Sequence, residues 1–346
     1  MEHLAIDLGK RESQICLRNE RGEILKESRV DTCEIGEALR TQSKPTRVIV
    51  ETCAEAFSVA DEALEMGHEV RVVPATLSKA LGVGERGIKT DRRDARALSK
   101  ASVQMDLGSV HIPSQRARDL KASCGHRDVL VRTRTLLINN ARGYLRTKRI
   151  RVGATTAMSF VNRTRKELQG RPEGLPLALD RVLRSIESLS VLIAEADKEL
   201  GALAKADPIC SNLMSMPGVG PVTALSMRAG IDDPRRFPNG HRMQSYLGLT
   251  PGERSSSDTK RITGITKAGS SRLRWVLVQA AWSFWRSRPK DANVLWAKRL
   301  AEKRCNAVAI VALARRMSSI LRAMWLSGES YRFDYAMRRE PSALNR

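Results

Sequence analysis

Apolar and polar positions in the first hundred residues follow the rhythm of an α/β unit. Leu4 to Gly9 is a short apolar run. From Ser13 to Arg18, Gln14, Cys16 and Arg18 alternate against Ile15 and Leu17, and Ile24 to Val30 continues beyond an Asn19-Glu20-Arg21-Gly22 turn. A period of two with a tight polar turn predicts a three-stranded antiparallel meander. A helix around Glu34 to Gln42 leads into a buried strand, Arg47 to Thr52. A second helix, Ala54 to Met66, precedes a strand from Glu69 to Pro74. Strands alternating with helices imply parallel pairing, and the expected strand order matches the ribonuclease H architecture.

The rest of the chain reads as helix. Leu120, Leu130, Leu136, Leu137, Tyr144 and Leu145 are the apolar positions of a polar middle stretch. After a turn-rich segment, Gly170 to Pro176, Val182, Ile186, Leu189, Ile193, Ala196, Leu200 and Leu203 step alternately by four and three, which is an a/d seam. That seam fits either a helical hairpin with the preceding basic helix or self-association between copies of the chain. A third region opens near Asp207-Pro208. Its Met216-Pro217-Gly218-Val219-Gly220-Pro221 run fits a helix-hairpin-helix turn that offers backbone N–H groups to a phosphate; it equally fits a turn between two packed helices. The tail is helical, with Trp275, Trp282, Trp285, Trp296 and Trp325 expected in its core. The fold class is α/β plus α, with expected regions 1–112, 113–206 and 207–346.

Charge changes the picture most. Among 346 residues, 60 Lys and Arg stand against 38 Asp and Glu, a formal net charge of +22. Such a field attracts polyanions. No apolar run is long enough to span a membrane and no signal peptide precedes the first strand, so a cytosolic nucleic-acid-binding protein is expected. Between Arg116 and Lys166 fourteen Lys and Arg accompany only Asp119 and Asp128, the composition of a helix that tracks phosphates. The cysteines at 16, 33, 53, 124, 210 and 305 form no C-x-x-C pair, which argues against a zinc site or a disulfide framework.

Two groups of residues carry candidate chemistry. Asp7 interrupts the first strand and Glu51 ends the fourth, where an isolated carboxylate is costly unless it is paired or bound to a metal. In Lys89-Thr90-Asp91-Arg92-Arg93-Asp94, two more acids sit at i and i+3 on one face of a first helical turn, beside Arg92, Arg93 and Arg96. Each acid alone would read as a cap or a solvated side chain. Four carboxylates fit the oxygen shell of Mg²⁺, and paired metals can clamp both oxygens of an in-line phosphoryl displacement. The second group follows Tyr246-Leu247-Gly248-Leu249-Thr250-Pro251. Ser255, Ser256 and Ser257 are flanked by Arg254, Lys260, Arg261, Lys267, Arg272 and Arg274. A serine oxygen with cations to neutralise charge on a phosphate is what covalent phosphoryl transfer requires.

These residues resemble the DEDD transposases of the IS110 insertion-sequence family. The likeness lies in Ala5 to Lys10, Val50-Glu51-Thr52, Lys89 to Ala95, the Leu-Thr-Pro segment with its serine, and the later Lys267, Gly269, Leu273 and Arg274. It implies a RuvC-like N-terminal domain with a metal-binding tetrad of Asp7, Glu51, Asp91 and Asp94, and Mg²⁺ as cofactor. It also implies a coiled-coil spacer used in assembly, hence a homo-oligomer (dimer or tetramer), and a C-terminal transposase domain with a nucleophilic serine at Ser256. The family usually has glycine after that serine where this chain has Ser257, so the register among Ser255, Ser256 and Ser257 stays open. The resemblance further implies strand exchange on DNA guided by a structured bridge RNA. Two other readings use the same residues: a metal-dependent junction resolvase with water as nucleophile, and an architectural nucleic-acid-binding protein.

Overall fold

The computed structural model describes residues 1–42, 45–80, 90–153, 155–172, 174–254 and 262–332. The chain divides into two compact units, Met1–Pro113 and Ser114–Arg346.

The first unit is a mixed sheet with helices on both faces. Strands β1 (Glu2–Asp7), β2 (Glu12–Arg18) and β3 (Ile24–Asp31) form the antiparallel meander, and β4 (Thr46–Glu51) and β5 (Glu69–Val73) add in parallel, giving the order β3-β2-β1-β4-β5. Helices α1 (Ile35–Arg40), α2 (Ala56–Glu65), α3 (Ala75–Ala80) and α4 (Asp91–Gln104) complete the unit. Successive strand residues point to opposite faces, and the two cores divide accordingly. Leu4, Ile6, Val48, Val50, Val70 and Val72 pack with Ile35, Leu39, Val59 and Ala60 of α1 and α2. On the other face, Ala5, Ile49 and Val73 pack with Leu98 and Ala101 of α4 and with Leu107. The meander and the parallel crossovers thus lie where the hydrophobic pattern puts them.

Among its described residues, the regular structure of the second unit is helical apart from one hairpin. Its long helices are α5 (Gln115–Thr147) and α7 (Leu177–Ala206), with α6 (Phe160–Gln169) between them in sequence. Arg127 pairs with Asp197 at 2.8 Å and Arg134 donates to Ser190 at 3.3 Å, so α5 and α7 run antiparallel. Of the expected seam, Ile186, Ile193 and Leu200 are buried with Leu179, one residue per heptad; Val182, Leu189 and Ala196 are half-buried, and Leu203 is exposed. The seam is therefore used inside the chain as a helical hairpin, its a-type positions inward.

Beyond α7 come α8 (Pro208–Leu213), α9 (Pro221–Ile231), α10 (Gly240–Tyr246), the hairpin β6 (Pro251–Glu253) and β7 (Ile262–Ile265), then α11 (Ser271–Ser287), α12 (Ala292–Lys303) and α13 (Asn306–Ser327). One core joins them to the ends of the long helices, through Leu120, Cys124, Leu200 and Ala204. Between α8 and α9, Gly218 has φ +86°, and a Cβ there would lie 2.3 Å from the Ala280 carbonyl of α11. Gly218 thus serves the packed-helix reading of its turn, whereas Gly220, the N-cap of α9, has open space around it.

Trp282, Trp285, Trp296 and Trp325 pack against this core, as expected. Trp275 does not. It is 52% exposed, because α11 buries Leu273, Val276, Leu277, Ala280, Ala281 and Phe284, and Trp275 stands half a helical turn away from that stripe. No helix among the described residues is long and apolar enough to cross a membrane.

Candidate active site

Strand register sets the candidate site of the first unit. Ile6 lies opposite Val50 in the parallel β1–β4 pair, so Asp7 and Glu51, the next residues, close neighbouring strands at the same end. Both share the side of the sheet on which Ala5 and Ile49 meet α4, since residues two apart face the same way. Helix α4 brings the other two acids to that face. Thr90 caps it, its side chain accepting from the Arg93 N–H at 3.3 Å. The buried stripe of α4 is Asp94, Ala95, Leu98, Ser99, Ala101 and Ser102.

The direction of α4 follows from its polar contacts. The Ser102 hydroxyl is 2.8 Å from His3 Nδ1 at the start of β1, while the Ser99 hydroxyl accepts from Arg18 Nε at 3.0 Å and donates to Cys16 Sγ at 3.2 Å. From Ser102 back to Asp94 the helix rises about 12 Å, and from His3 to Asp7 the strand advances about 13 Å. Asp94 therefore comes level with Asp7. It is 2% exposed, Asp7 and Glu51 are half-buried, and Asp91 is exposed in the first turn. Among the described residues, no three His, Cys, Asp or Glu side chains are grouped closely enough to hold a metal ion between them.

A fifth acid, Glu27 on β3, escaped the sequence reading. It accepts from Arg96 Nε and Nη2 at 2.5 and 2.6 Å and from Arg92 Nη2 at 2.7 Å. These guanidinium hydrogen bonds, Arg96 first and Arg92 second, hold its carboxyl at about 2, well below the ordinary 4.5. The arginines beside Asp91 and Asp94 are thus committed to the sheet, and they clamp the acidic turn onto it. Only Arg93 of the three has no such tie to Glu27. Glu27 lies 65 residues before Arg92, and no local pattern marks it.

The second unit carries its own candidate, the hairpin. Pro251 pairs with Ile265 and Glu253 with Ile262, and the ladder continues below them through Thr266 N–H to Thr250 O at 2.9 Å and Lys267 N–H to Gly248 O at 3.1 Å. At its base backbone meets backbone. A Cβ on Gly248 (φ +66°) would lie 2.6 Å from the Ala268 nitrogen, and one on Gly269 would lie 1.9 Å from the Tyr246 carbonyl oxygen. Only glycine permits either approach. The two motifs Leu-Gly-Leu-Thr-Pro and Lys-x-Gly are therefore opposite sides of one hairpin base.

Of the predicted cations, Arg274 spends Nη1 on the carbonyls of Leu247 and Gly269, and Arg272 pairs with Asp128 of α5 at 2.6 Å. Arg274 thus braces the hairpin base, and Arg272 ties α11 to α5. Arg254 and Lys267 are exposed on its two arms, Lys267 with φ +57°. Ser255, Ser256, Ser257, Lys260 and Arg261 lie outside the described residues.

Comparisons with known proteins identify the family. A transposase family model of the DEDD IS110 type matches residues 4–149, and one described as "Transposase IS116/IS110/IS902 family" matches residues 210–295. The chain is similar to the transposase for insertion sequence element IS1111A of Coxiella burnetii, with 30% identity over 335 residues covering 95% of this chain and 91% of that protein. It is 27% identical to a probable family 20 transposase of Pseudomonas aeruginosa over 96% of this chain and 99% of that protein. With the transposase for insertion sequence element IS1328 of Yersinia enterocolitica it shares 26% identity, over 92% and 94% of the two chains. The class is thus that of enzymes that move insertion sequences by DNA transposition. Within that class, the chain belongs to the IS116/IS110/IS902 transposase family.

Proposed function

We propose that this transposase exchanges DNA strands through a serine–DNA intermediate, with Asp7, Glu51, Asp91 and Asp94 holding divalent cations, Mg²⁺ above all, at the reacting phosphate. The observation that supports this reading is that Asp7 and Glu51 end neighbouring strands on the sheet face covered by α4, whose buried stripe begins at Asp94; the carboxylates are not grouped to metal-ligand distance in this structure, so the reading requires them to draw together around the ion. The donor set fits a hard cation: it is all carboxylate, with no thiol or imidazole in it. Bound there, the cation would neutralise charge on phosphate oxygens. The chain's own residues do the rest. Thr90 and Glu27 fix the acidic turn, and the serine segment lies in sequence between the anchored strands β6 and β7.

Ser256 is the proposed nucleophile within the 255–257 run. Its Oγ–P bond forms as a P–O bond of the DNA strand breaks; the serine proton is released and the departing DNA oxygen takes one up. Attack by a hydroxyl of the incoming strand reverses the step and restores the serine, so the ester bond is conserved. Arg254, Lys260, Arg261 and Lys267 would meet the strand's phosphates. A bridge RNA pairing with element ends and target would supply sequence choice, a reading supported by a net charge of +22 and by the one-sided α5. The half-buried d-type residues of α7 support a homo-oligomer, dimer or tetramer.

The deciding experiment traps the protein on nicked suicide DNA and sequences the linked peptide by mass spectrometry. A serine–DNA adduct at 256 is expected. If no adduct forms while strand cleavage persists, water is the nucleophile and the junction-resolvase reading replaces this one.

A further inference from the structure

A groove of about 610 Å³ runs between the hairpin and the first turns of α13. One wall is β7 with Ile262; the other is the α13 stripe Val308, Val311 and Arg315, at i, i+3 and i+7. The opposite face of α13, with Ile310, Leu313 and Met317, enters the core; Val311 is half-buried at the core's edge, and Val308 is exposed to the groove. Ile262 is 66% and Val308 48% exposed. Two cations flank these apolar walls, Arg304 at the end of α12 and Arg315 on α13, and no acid lines the groove among the described residues.

We propose that this groove is a subsite for the DNA strand next to the reacting phosphate, seating one or two unstacked nucleotides. Arg304 and Arg315 would take their phosphates, and Ile262, Val308 and Val311 would cover sugar and base faces. Charge complementarity selects the occupant: two guanidinium groups suit a polyanion. The apolar walls favour a single strand over a duplex, because an unstacked nucleotide exposes faces that a duplex hides. The size lies within the usual range for a small-ligand site, about 300–1,000 Å³. The wall residue Ile262 directly follows residues 255–261 in sequence. The inference thus deepens the serine reading and rests on it for which strand is meant.

The test uses the full-length protein and single-stranded DNA of an element end carrying 5-iodo-deoxyuridine beside the cleavage point. Ultraviolet cross-linking and peptide mapping should place cross-links within residues 262–265 or 304–315. The double variant Arg304→Ala/Arg315→Ala, checked for an unchanged melting curve, should lose them about tenfold. Its log–log salt slope for the same strand should fall by about 1.4, at roughly 0.7 per phosphate contact. Cross-links mapping only elsewhere, or an unchanged slope, would overturn the subsite. So would an altered sedimentation coefficient of the DNA-free variant with wild-type DNA binding, since that would make the groove a contact between copies. The adduct assay run in parallel separates the two readings. Groove cross-links without a serine adduct uphold the subsite and sink the serine; wild-type adduct formation by the double variant does the reverse.

Discussion

Arg272, in the first turn of α11, donates to Asp128 on α5 across 2.6 Å, and the side chains are only 19% and 11% exposed. The pair ties the long basic helix to the helix that follows the serine hairpin. A buried ion pair contributes little relative to a well-packed apolar pair, but removing one partner leaves an uncompensated charge. Asp128→Asn should therefore destabilise the second unit by about 3 kcal/mol, read as a lower urea midpoint with an unchanged m-value. Arg272→Met should be similarly destabilising, while Asp128→Leu/Arg272→Met recovers much of the loss. A double variant as unstable as the sum of the two singles would show that the residues do not act as a pair.

The clamp on α4 makes a pH prediction. The folded-state carboxyl of Glu27 is lowered to about 2 from 4.5. A depressed acid contributes stability that is present above its unfolded value and lost as pH falls through the folded one. Arg92 and Arg96 are 61% and 41% exposed, so solvent screens the interaction, and Glu27→Gln should cost about 1–2 kcal/mol at pH 7. The gap between wild type and variant should narrow as pH falls from about 4.5 towards 2, as followed by denaturation at pH 7 and pH 3. A gap of constant size would place the effect elsewhere.

Charge at the carboxylate end should matter to chemistry and not to affinity. Asp91→Asn and Glu51→Gln each keep the side-chain volume and should abolish strand transfer in Mg²⁺ while changing nucleic-acid binding by less than about threefold. Gel-based strand-transfer and filter-binding assays on the same preparations read both quantities. Full recombination by either variant would remove the tetrad assignment.

Basic α5 offers a separate test. Arg132 and Arg146 are exposed on it. If they meet phosphates of a duplex, neutralising both should reduce the log–log salt slope of binding by roughly 1.8, about 0.9 for each. An unaltered slope means that they only solvate the helix.

Much of this was readable in the chain. Period-two alternation places Ile6 and Val50 on one face of the sheet and Ala5 and Ile49 on the other, and a charge inside such a run, as at Asp7, stands out. The four acids were therefore visible one by one, and the register of β1 with β4 brings two of them together. Glu27 was not visible, because its importance depends on a helix 65 residues away folding back over β3. Arg272 and Arg274 carry the same charge as Arg254, and only packing distinguishes the two that brace the unit from the one facing solvent. Trp275 was misjudged for the same reason: residue type predicts burial on average, whereas the angle around α11 decides it for this residue.

The hairpin base has a consequence for how such enzymes could be recombined with one another. Gly248, Gly269 and Arg274 hold the two strands in register, and none of them lies between Glu253 and Ile262. A chimera that replaces only residues 254–261 with those of a relative, at another length if need be, leaves every one of these anchors in place. The 254–261 segment is in this sense a cartridge, exchangeable without retuning the socket that flanks it.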